Sequence, residues 1–551
     1  MVRTEIELAV KNVLSTFGVE STEVLIEHPA DPAFGDYATN AAIVHAKKVG
    51  KSPQVLAGEL VEKLSTVNIP EVEKIEAAGV GFVNFFLSRE YFTKNTQEIL
   101  SHRETYGNNA ILAEKKVMVE YTDPNPFKEF HIGHLMSNAI GESISRLIEA
   151  SGAEVKRANY QGDVGMHVAK AVWGMRAGGK EFGQAYARGA HAYEENEQAK
   201  KEISELNKTI YAKDDSSVNE LYERGRKESL EKFEAIYQRL GTKFDFNFFE
   251  SETGPVGVDL VRKHLGKIFE ESEGAIVFRG ERIGLHTRVF ITKEGLPIYE
   301  SKELGLAKLK QEKYKADVSV VITGNEVTDY FKVVLAAMKE IPELAAEAEK
   351  IVHIPHGMLR LPSGKMSSRT GDVISAESLL SQIETHLKET FDNKDKKTIE
   401  EIAVAAIKYS VLKQESSKDI TFDFDTSISF TGDSGPYLEY THARCRSILG
   451  KASEEGIVPS LENPADRALQ IERKLSHFPE VVERATRAYA PHYLATYLYE
   501  LAGEFNTFYN SIVIVKKDDP ESPYKCAVTD AAATVLSRGL NLLGIAAPER
   551  M

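Results

Sequence analysis

Two histidines three residues apart, His131 and His134, flank Gly133, and Lys128 stands three residues upstream, all within PNPFKEFHIGHLMSNAIGE (124–142). Imidazole N–H groups and an ammonium donate to phosphate oxygens, and a glycine lacks the Cβ that bars close approach of a flat ligand. A second basic group follows some 230 residues on, in GMLRLPSGKMSSRTGDV (357–373), with Lys365, Ser367, Ser368 and Arg369 between glycines. Such a segment can close over a triphosphate and stabilise charge developing on a leaving pyrophosphate. Each stretch alone has a plainer reading: a helix start with incidental histidines, and a solvated basic loop. Their joint occurrence in this order favours phosphate chemistry.

The elements around them suit that chemistry. KVMVEYT (116–122) reads as a strand, and Met136, Ile140, Ile144 and Leu147 recur at helical spacing until Ser151-Gly152. EVKRANY (154–160) reads as the next strand, so the unit is a right-handed parallel crossover. Ligands in such sheets sit at the carboxyl ends of strands, beside helix N-termini that favour anions. A Gly-x-Gly-x-x-Gly fingerprint is absent, which argues against a dinucleotide enzyme.

The texture of the chain divides it into three. Residues 1–105 mix amphipathic helix (LAGELVEKL), a glycine-bounded strand (GVGFVNFFLS) and the loop HPADPAFGDYATNAA, a pattern that predicts an α+β domain. Residues 106–395 predict a Rossmann-like parallel-sheet catalytic domain, with a charged, helix-rich insertion at about 175–290. Residues 396–551 read as long amphipathic helices, an all-α bundle, with one short strand signal at DITFDFD.

Composition narrows the class. The 551 residues are 42% hydrophobic and 27% charged, the balance of a soluble multidomain protein. No apolar run approaches the length of a membrane span, and MVRTEIELAV lacks a signal-peptide pattern, so a cytoplasmic, membrane-free protein is expected. A net charge of −15 neither requires nor forbids nucleic acid, because one basic stripe can sit on an acidic surface. With only Cys445 and Cys526, neither a disulfide framework nor a structural zinc is expected, and Cys445 reads as a buried helix residue.

The pair His131-Ile132-Gly133-His134 and Lys365-Met366-Ser367-Ser368-Arg369 resembles the signature pair of class I aminoacyl-tRNA synthetases. HPADPAFGDYATN, GFVNFF, PNPFKEFHIGH, NYQGDVG, SGPYLEYTHAR and LLGIAAPERM resemble arginyl-tRNA synthetases in particular, and they span nearly the whole chain. The resemblance implies activation of L-arginine by ATP, with Mg²⁺ accompanying the nucleotide, and transfer of arginine to the 3′ end of tRNA(Arg) by a monomer. It also implies that tRNA is needed before arginine is activated. Two other readings stand beside it: a class I synthetase for another amino acid, and a silent paralogue that only binds tRNA.

The resemblance also implies roles. His131 and His134 would hold phosphates, Gly133 would underlie the adenosine, Gly357-Met358 would border the adenine, and Lys365 and Ser367 would meet the phosphates. Where the family's loop has a second lysine this chain has Ser368, and Lys128 or Arg369 would replace that lysine's charge. Asn125, Glu154, Asn159, Tyr299, Glu303 and Asn325 would receive arginine, since a guanidinium is best held by carboxylates and amides. For tRNA the implied contacts are Phe34, Tyr37 and Asn40 in the N-terminal loop, then Tyr437, Tyr440, Arg444, Tyr509 and the terminal Met551. The plainer reading for each tyrosine is a core residue, and for Glu154 an ordinary strand-start residue.

Overall fold

The computed structural model describes residues 2–20, 23–179, 182–361, 374–390 and 395–551. The chain forms two compact units. The first comprises residues 1–106, 445–478 and 503–535, and the second 107–444, 479–502 and 536–551. The helices beyond 396, expected as one bundle, are thus divided between the units.

In the first unit, β1 (Tyr37–Thr39), β2 (Val72–Ala78) and β3 (Phe82–Leu87) form an antiparallel sheet of order β1-β3-β2. Ile6, Val10, Val13 and Leu14 recur on one face of the helix Val2–Ser15, and that face is buried in the same core as Val83 and Phe85 of β3. The helix Pro53–Leu64 starts where it does because Ser52 accepts the Val55 N–H and Pro53 fills the first position.

The second unit is built on five parallel strands: β4 (Lys116–Glu120), β5 (Glu154–Gln161), β6 (Phe246–Phe249), β10 (Val318–Gly324) and β11 (Ile351–His356). Between β6 and β10 lies an antiparallel set, β7 (Glu270–Ser272), β8 (Ala275–Phe278) and β9 (Arg288–Ile291). Two short strands, β12 (Leu359–Arg360) and β13 (Ile420–Thr421), pair parallel to each other. The large sheet has the order β11-β10-β4-β5-β6. From β4 the chain winds outward one way through β5 and β6, then returns to the other side of β4 for β10 and β11. This is the doubly wound order, and its switch point lies between β4 and β10. The position of β6 differs from expectation: it falls inside the stretch read as insertion, yet completes the sheet. Four residues are too few for a periodic signal, and only pairing with Ala158–Gln161 defines the strand.

The helix Ile132–Ala150 crosses from β4 to β5. Leu135, Met136, Ile140, Ile144 and Leu147 are all buried, each contributing about 2 kcal/mol by removal from water. Gly152, with φ of 93°, turns the chain back into β5. No described helix is long and apolar enough to cross a membrane.

Candidate active site

The loop from Tyr121 to Phe130 leaves β4 at the switch point. Three of its non-glycine residues have positive φ: Thr122 (84°), Asp123 (48°) and Phe127 (68°). Such backbone persists only when its surroundings over-determine it. Here the Thr122 N–H donates to Ser137 Oγ (2.9 Å), and Asn138 Nδ2 donates to Thr122 Oγ1 (3.0 Å). Asp123 Oδ1 accepts the Tyr160 N–H of β5 (2.7 Å), and the Phe127 N–H donates to Ser229 Oγ (2.9 Å). The Phe127 ring is fully buried against Gly225, where a Cβ would fall 2.2 Å from it. Ser137 and Asn138 belong to the first turns of the histidine helix, so loop and helix are fixed to one another.

His131 is the N-cap of that helix. Its Nδ1 accepts the Gly133 N–H (3.1 Å), and the His134 Nδ1 accepts the His131 N–H (3.2 Å). A backbone donor at each Nδ1 leaves the proton of a neutral imidazole on Nε2. Burial first, then the field of Lys128, pushes the His131 pKa down to about 4. Burial likewise holds His134 well below its ordinary value, with His131, Lys128 and His356 adding to the effect. Both rings are therefore neutral Nε2–H donors at neutral pH, stacked at 3.7 Å. A Cβ on Gly133 would meet the His131 ring at 3.0 Å, so glycine here admits the histidine's own fold-back as well as a ligand.

Lys128 is half-buried, with Nζ 5.2 Å from the centre of the Tyr186 ring. Burial lowers its pKa, Lys170 lowers it further, and Glu250 opposes both. Its own N–H donates to the Asn125 carbonyl (3.1 Å). The Asn125 amide lies over Gly162, where a Cβ would approach Oδ1 to 2.2 Å.

Beside this turn the sheet carries buried acid. Glu120 pairs with Lys310 (2.5 Å), and Glu250 pairs with Lys302 (2.5 Å). Asp123 is pushed well above the usual carboxylate range by burial and then by Glu120. Glu303 rises to about 8 through burial, then Glu120. In β5, Asn159 Nδ2 donates to the Tyr237 hydroxyl (2.9 Å), while Asn159 Oδ1 and Gln161 Oε1 are buried without hydrogen-bond partners among the described residues. Raised carboxyls and unpaired acceptors together suit a ligand rich in N–H donors and carrying positive charge.

The structure thus brings Lys128, His131, Gly133 and His134 together at the turn, and sets Asn125, Asn159 and Glu303 among the groups around the same strand ends. Gly357 and Met358 directly follow β11, with the Gly357 N–H on the Ser416 carbonyl (2.9 Å) and the Met358 N–H on Asp419 Oδ1 (2.9 Å). Lys365, Ser367, Ser368 and Arg369 lie outside the described residues. Past them, Ser375 bridges to His131 and the Ala376 N–H donates to the Phe130 carbonyl (2.7 Å), tying that segment to the histidine turn.

Two expectations are corrected. Glu154 opens β5 opposite Lys116, at the amino end of the sheet, seven residues or about 23 Å along the strand from Gln161. It is exposed and cannot meet a ligand at the histidine turn. Tyr37 is 3% exposed and packs against His28 at 4.5 Å, because strand alternation turns it inward; it has no open face to stack on a base. Phe34, at the end of the short turn Pro32–Phe34, is 54% exposed, and Asn40 begins the helix Ala41–Val49.

The remaining expected residues are spread more widely. Asn325 is exposed in the turn after β10, while Tyr299, 61% exposed at the start of the helix Tyr299–Lys313, lines one cavity with Lys128. Tyr440 is exposed, with the Arg444 guanidinium 4.8 Å from its ring centre, and Tyr437 is half-buried against Tyr499. His442 Nδ1 donates to the Pro548 carbonyl (3.0 Å), which anchors the segment ending at half-buried Met551 to the helix of Tyr440. Tyr509 is exposed in the first unit.

Asp123, Tyr160, Gln161, Glu120 and Glu250 were not expected in the site. Asp123 was legible as an acid directly after the strand that leads into the histidine turn. Nothing local marks Glu250, which arrives from the far end of β6.

Comparison with known proteins agrees along the whole chain. Residues 95–424 match the family of class I tRNA synthetase (R) catalytic domains, 438–551 the DALR anticodon-binding domain, and 2–87 the arginyl-tRNA synthetase N-terminal domain. The arginine–tRNA ligase 1 of Bacillus cereus is 31% identical, the match covering 96% of this chain and 95% of that one. The arginine–tRNA ligase of Lactococcus lactis subsp. cremoris is 31% identical over 100% and 99%. The arginyl-tRNA synthetase structure from Thermus thermophilus superposes with a TM-score of 0.81 at 26% identity, covering all of both chains.

Proposed function

The chain belongs to the class I arginyl-tRNA synthetases, and from that premise we propose how its own residues divide the reaction. The activity itself is arginine–tRNA ligation: L-arginine and ATP give arginyl-adenylate and pyrophosphate, and the arginyl group passes to the 3′ end of tRNA(Arg). In the first step an arginine carboxylate oxygen bonds to the α-phosphorus and the bond to the β-phosphate bridge breaks. In the second a ribose hydroxyl of the terminal adenosine attacks the arginyl carbonyl and AMP leaves.

ATP lies with its phosphates on the Nε2–H groups of His131 and His134 and its adenosine over Gly133, bordered by Gly357 and Met358. Their Nδ1 atoms accept backbone amides, so neither ring offers a free lone pair to a metal, and Mg²⁺ accompanying ATP would be held by the phosphates. Lys128 donates to the α-phosphate as charge develops there. Lys365 and Ser367 meet the departing pyrophosphate, with Arg369 beside them.

The arginine guanidinium lies toward Glu303 and Asp123, whose carboxyl pKa values are raised by burial and by Glu120. The α-ammonium is received by the amide oxygens of Asn159 and Gln161, with Asn125 over the reacting carboxylate. Tyr440, Arg444, Tyr437, Tyr509 and Met551 serve the anticodon stem-loop, and Phe34 and Asn40 another part of the tRNA. The protein acts as a cytoplasmic monomer.

The convergence of Glu120, Asp123, Glu250 and Glu303 on the strand ends carries the assignment of the amino-acid site, because an acidic substrate would add like charge to them. ATP–pyrophosphate exchange against each standard amino acid, with and without tRNA, tests it. Exchange is expected with arginine alone. Exchange with no amino acid, while tRNA still binds, would replace this reading with an RNA-binding paralogue.

A further inference from the structure

The turn that carries Lys128 holds a large side chain where backbone sterics favour glycine. The Lys128 N–H closes on the Asn125 carbonyl (3.1 Å), Pro126 is the first residue between them, and Phe127, the second, has φ of 68°. This is the arrangement of a type II turn, whose third position ordinarily takes glycine. A phenylalanine there is strained, and something outside the turn must hold it.

The helix Ser216–Leu240 does so. It belongs to the charged stretch between β5 and β6, and none of the roles above uses it. Gly225 and Ser229 lie four residues apart on one of its faces. Ser229 Oγ accepts the Phe127 N–H (2.9 Å), while its own hydroxyl donates to the Gly225 carbonyl (2.8 Å). With its hydrogen committed, the hydroxyl presents only lone pairs to Phe127, and so selects the backbone in which that N–H points at the helix. Phe127 is fully buried, so its N–H has no solvent to turn to. The ring fills the space beside Gly225 and stacks on Tyr222 at 5.9 Å.

The same helix is fixed at the ends of the strands. Asp163, two residues past Gln161, is fully buried and accepts from the Tyr222 hydroxyl (3.1 Å), Arg226 Nε (2.9 Å) and Ser251 Oγ (2.7 Å). Ser251 adjoins Glu250 of the acidic group. One helix therefore ties the strand ends beside the amino-acid site to the turn that aims Lys128.

We propose that Ser229, with Gly225, is a positioning residue for adenylate formation: it keeps Phe127 in the left-handed region and thereby holds the Lys128 ammonium at the α-phosphate. This rests on the reading of Lys128 given above. Without the hydroxyl, Phe127 is released toward an ordinary φ and Lys128 is re-aimed, and a misplacement of about 1 Å can cost about 100-fold.

The test is a double-mutant cycle on ATP–pyrophosphate exchange, with full-length wild type, Ser229→Ala, Lys128→Met and the double variant, in the presence of tRNA(Arg). Ser229→Ala alone is expected to lower kcat by about tenfold or more, with KM for ATP and arginine nearly unchanged. In the Lys128→Met background the same change is expected to cost less than about twofold, because an absent charge cannot be misplaced. A general loss of folded protein would lower both backgrounds alike, so an equal loss in the two overturns the proposal. A loss under about twofold in Ser229→Ala alone also overturns it. Gly225→Ala gives an independent reading: alanine favours the helix, yet its Cβ would fall 2.2 Å from the Phe127 ring. The same Lys128-dependent fall in kcat is expected, and wild-type kcat in this variant would overturn the proposal. Lys128→Met separates the two possible failures. If it costs under about threefold, the reading of Lys128 fails and this one with it. If it costs about 30-fold or more while Ser229→Ala is additive with it, Lys128 keeps its role and only the positioning by Ser229 is lost.

Discussion

Lys128→Met keeps the length of the side chain and removes its charge. In the described residues that charge has an aromatic neighbour and feels both Lys170 and Glu250 but forms no ion pair, so its stabilising work falls to the substrate. At about 4 Å from the reacting phosphate, with an effective dielectric near 20, a full charge interacts by about 4 kcal/mol. The attack adds about half a unit of charge, so roughly 2 kcal/mol is felt only in the transition state, a factor of about 30. A direct hydrogen bond to the oxygen would raise this toward about 100-fold, the range of a single oxyanion donor. ATP–pyrophosphate exchange and single-turnover adenylate formation should both show kcat falling by about 30- to 100-fold, with KM for ATP and arginine nearly unchanged. Because burial lowers the Lys128 pKa, wild-type kcat should fall with rising pH before an ordinary lysine would titrate, and Lys128→Met should lack that limb. A loss under about threefold would refute the role, and an unaltered alkaline limb would refute its assignment to Lys128.

His131→Asn retains a side-chain acceptor for the helix cap but loses the Nε2–H, so the melting temperature should hold while kcat falls by about 100-fold or more; an equal fall in both would make the residue structural. Glu303, at about 8 in the free protein, must release its proton to face a guanidinium. KM for arginine should therefore fall as pH rises toward 8, with proton release on binding seen by calorimetry in two buffers, and Glu303→Gln should flatten both. Lys408 is buried and donates to the Leu240 and Gly544 carbonyls (2.6 Å each), and burial lowers its pKa from 10.5 to about 7. Between those values the unfolded chain binds the extra proton, so stability should rise as pH goes from 7 toward 10. Lys408→Met should lose that slope and, leaving two buried carbonyls unpaired, cost about 2–5 kcal/mol; a melting-temperature series across pH reads both.

Much of the site could be read without coordinates, because its signals are local. A strand, a turn with His131, Gly133 and His134, and a helix with Met136, Ile140, Ile144 and Leu147 in phase all lie within one contiguous stretch, where periodicity and turn chemistry act between near neighbours. The wider assignment rested on resemblance, not on spacing, and that is why Glu154 went astray. A strand's two ends look alike in sequence, but only one end of a parallel sheet faces the ligand. Tyr37 went astray for the related reason that alternation tells which residues share a face, not which face is covered.

What the sequence by itself determined was the chemistry at the turn and the order of elements that carry it. Tertiary structure decided the rest. It alone fixed each imidazole's proton on Nε2, since that depends on which amide folds back onto Nδ1. It alone gathered Asp123, Glu303, Glu120 and Glu250 from four separate elements into one buried acidic group. Proton positions, raised carboxyl pKa values and unpaired acceptors arise from distance and burial, which adjacency along the chain does not encode.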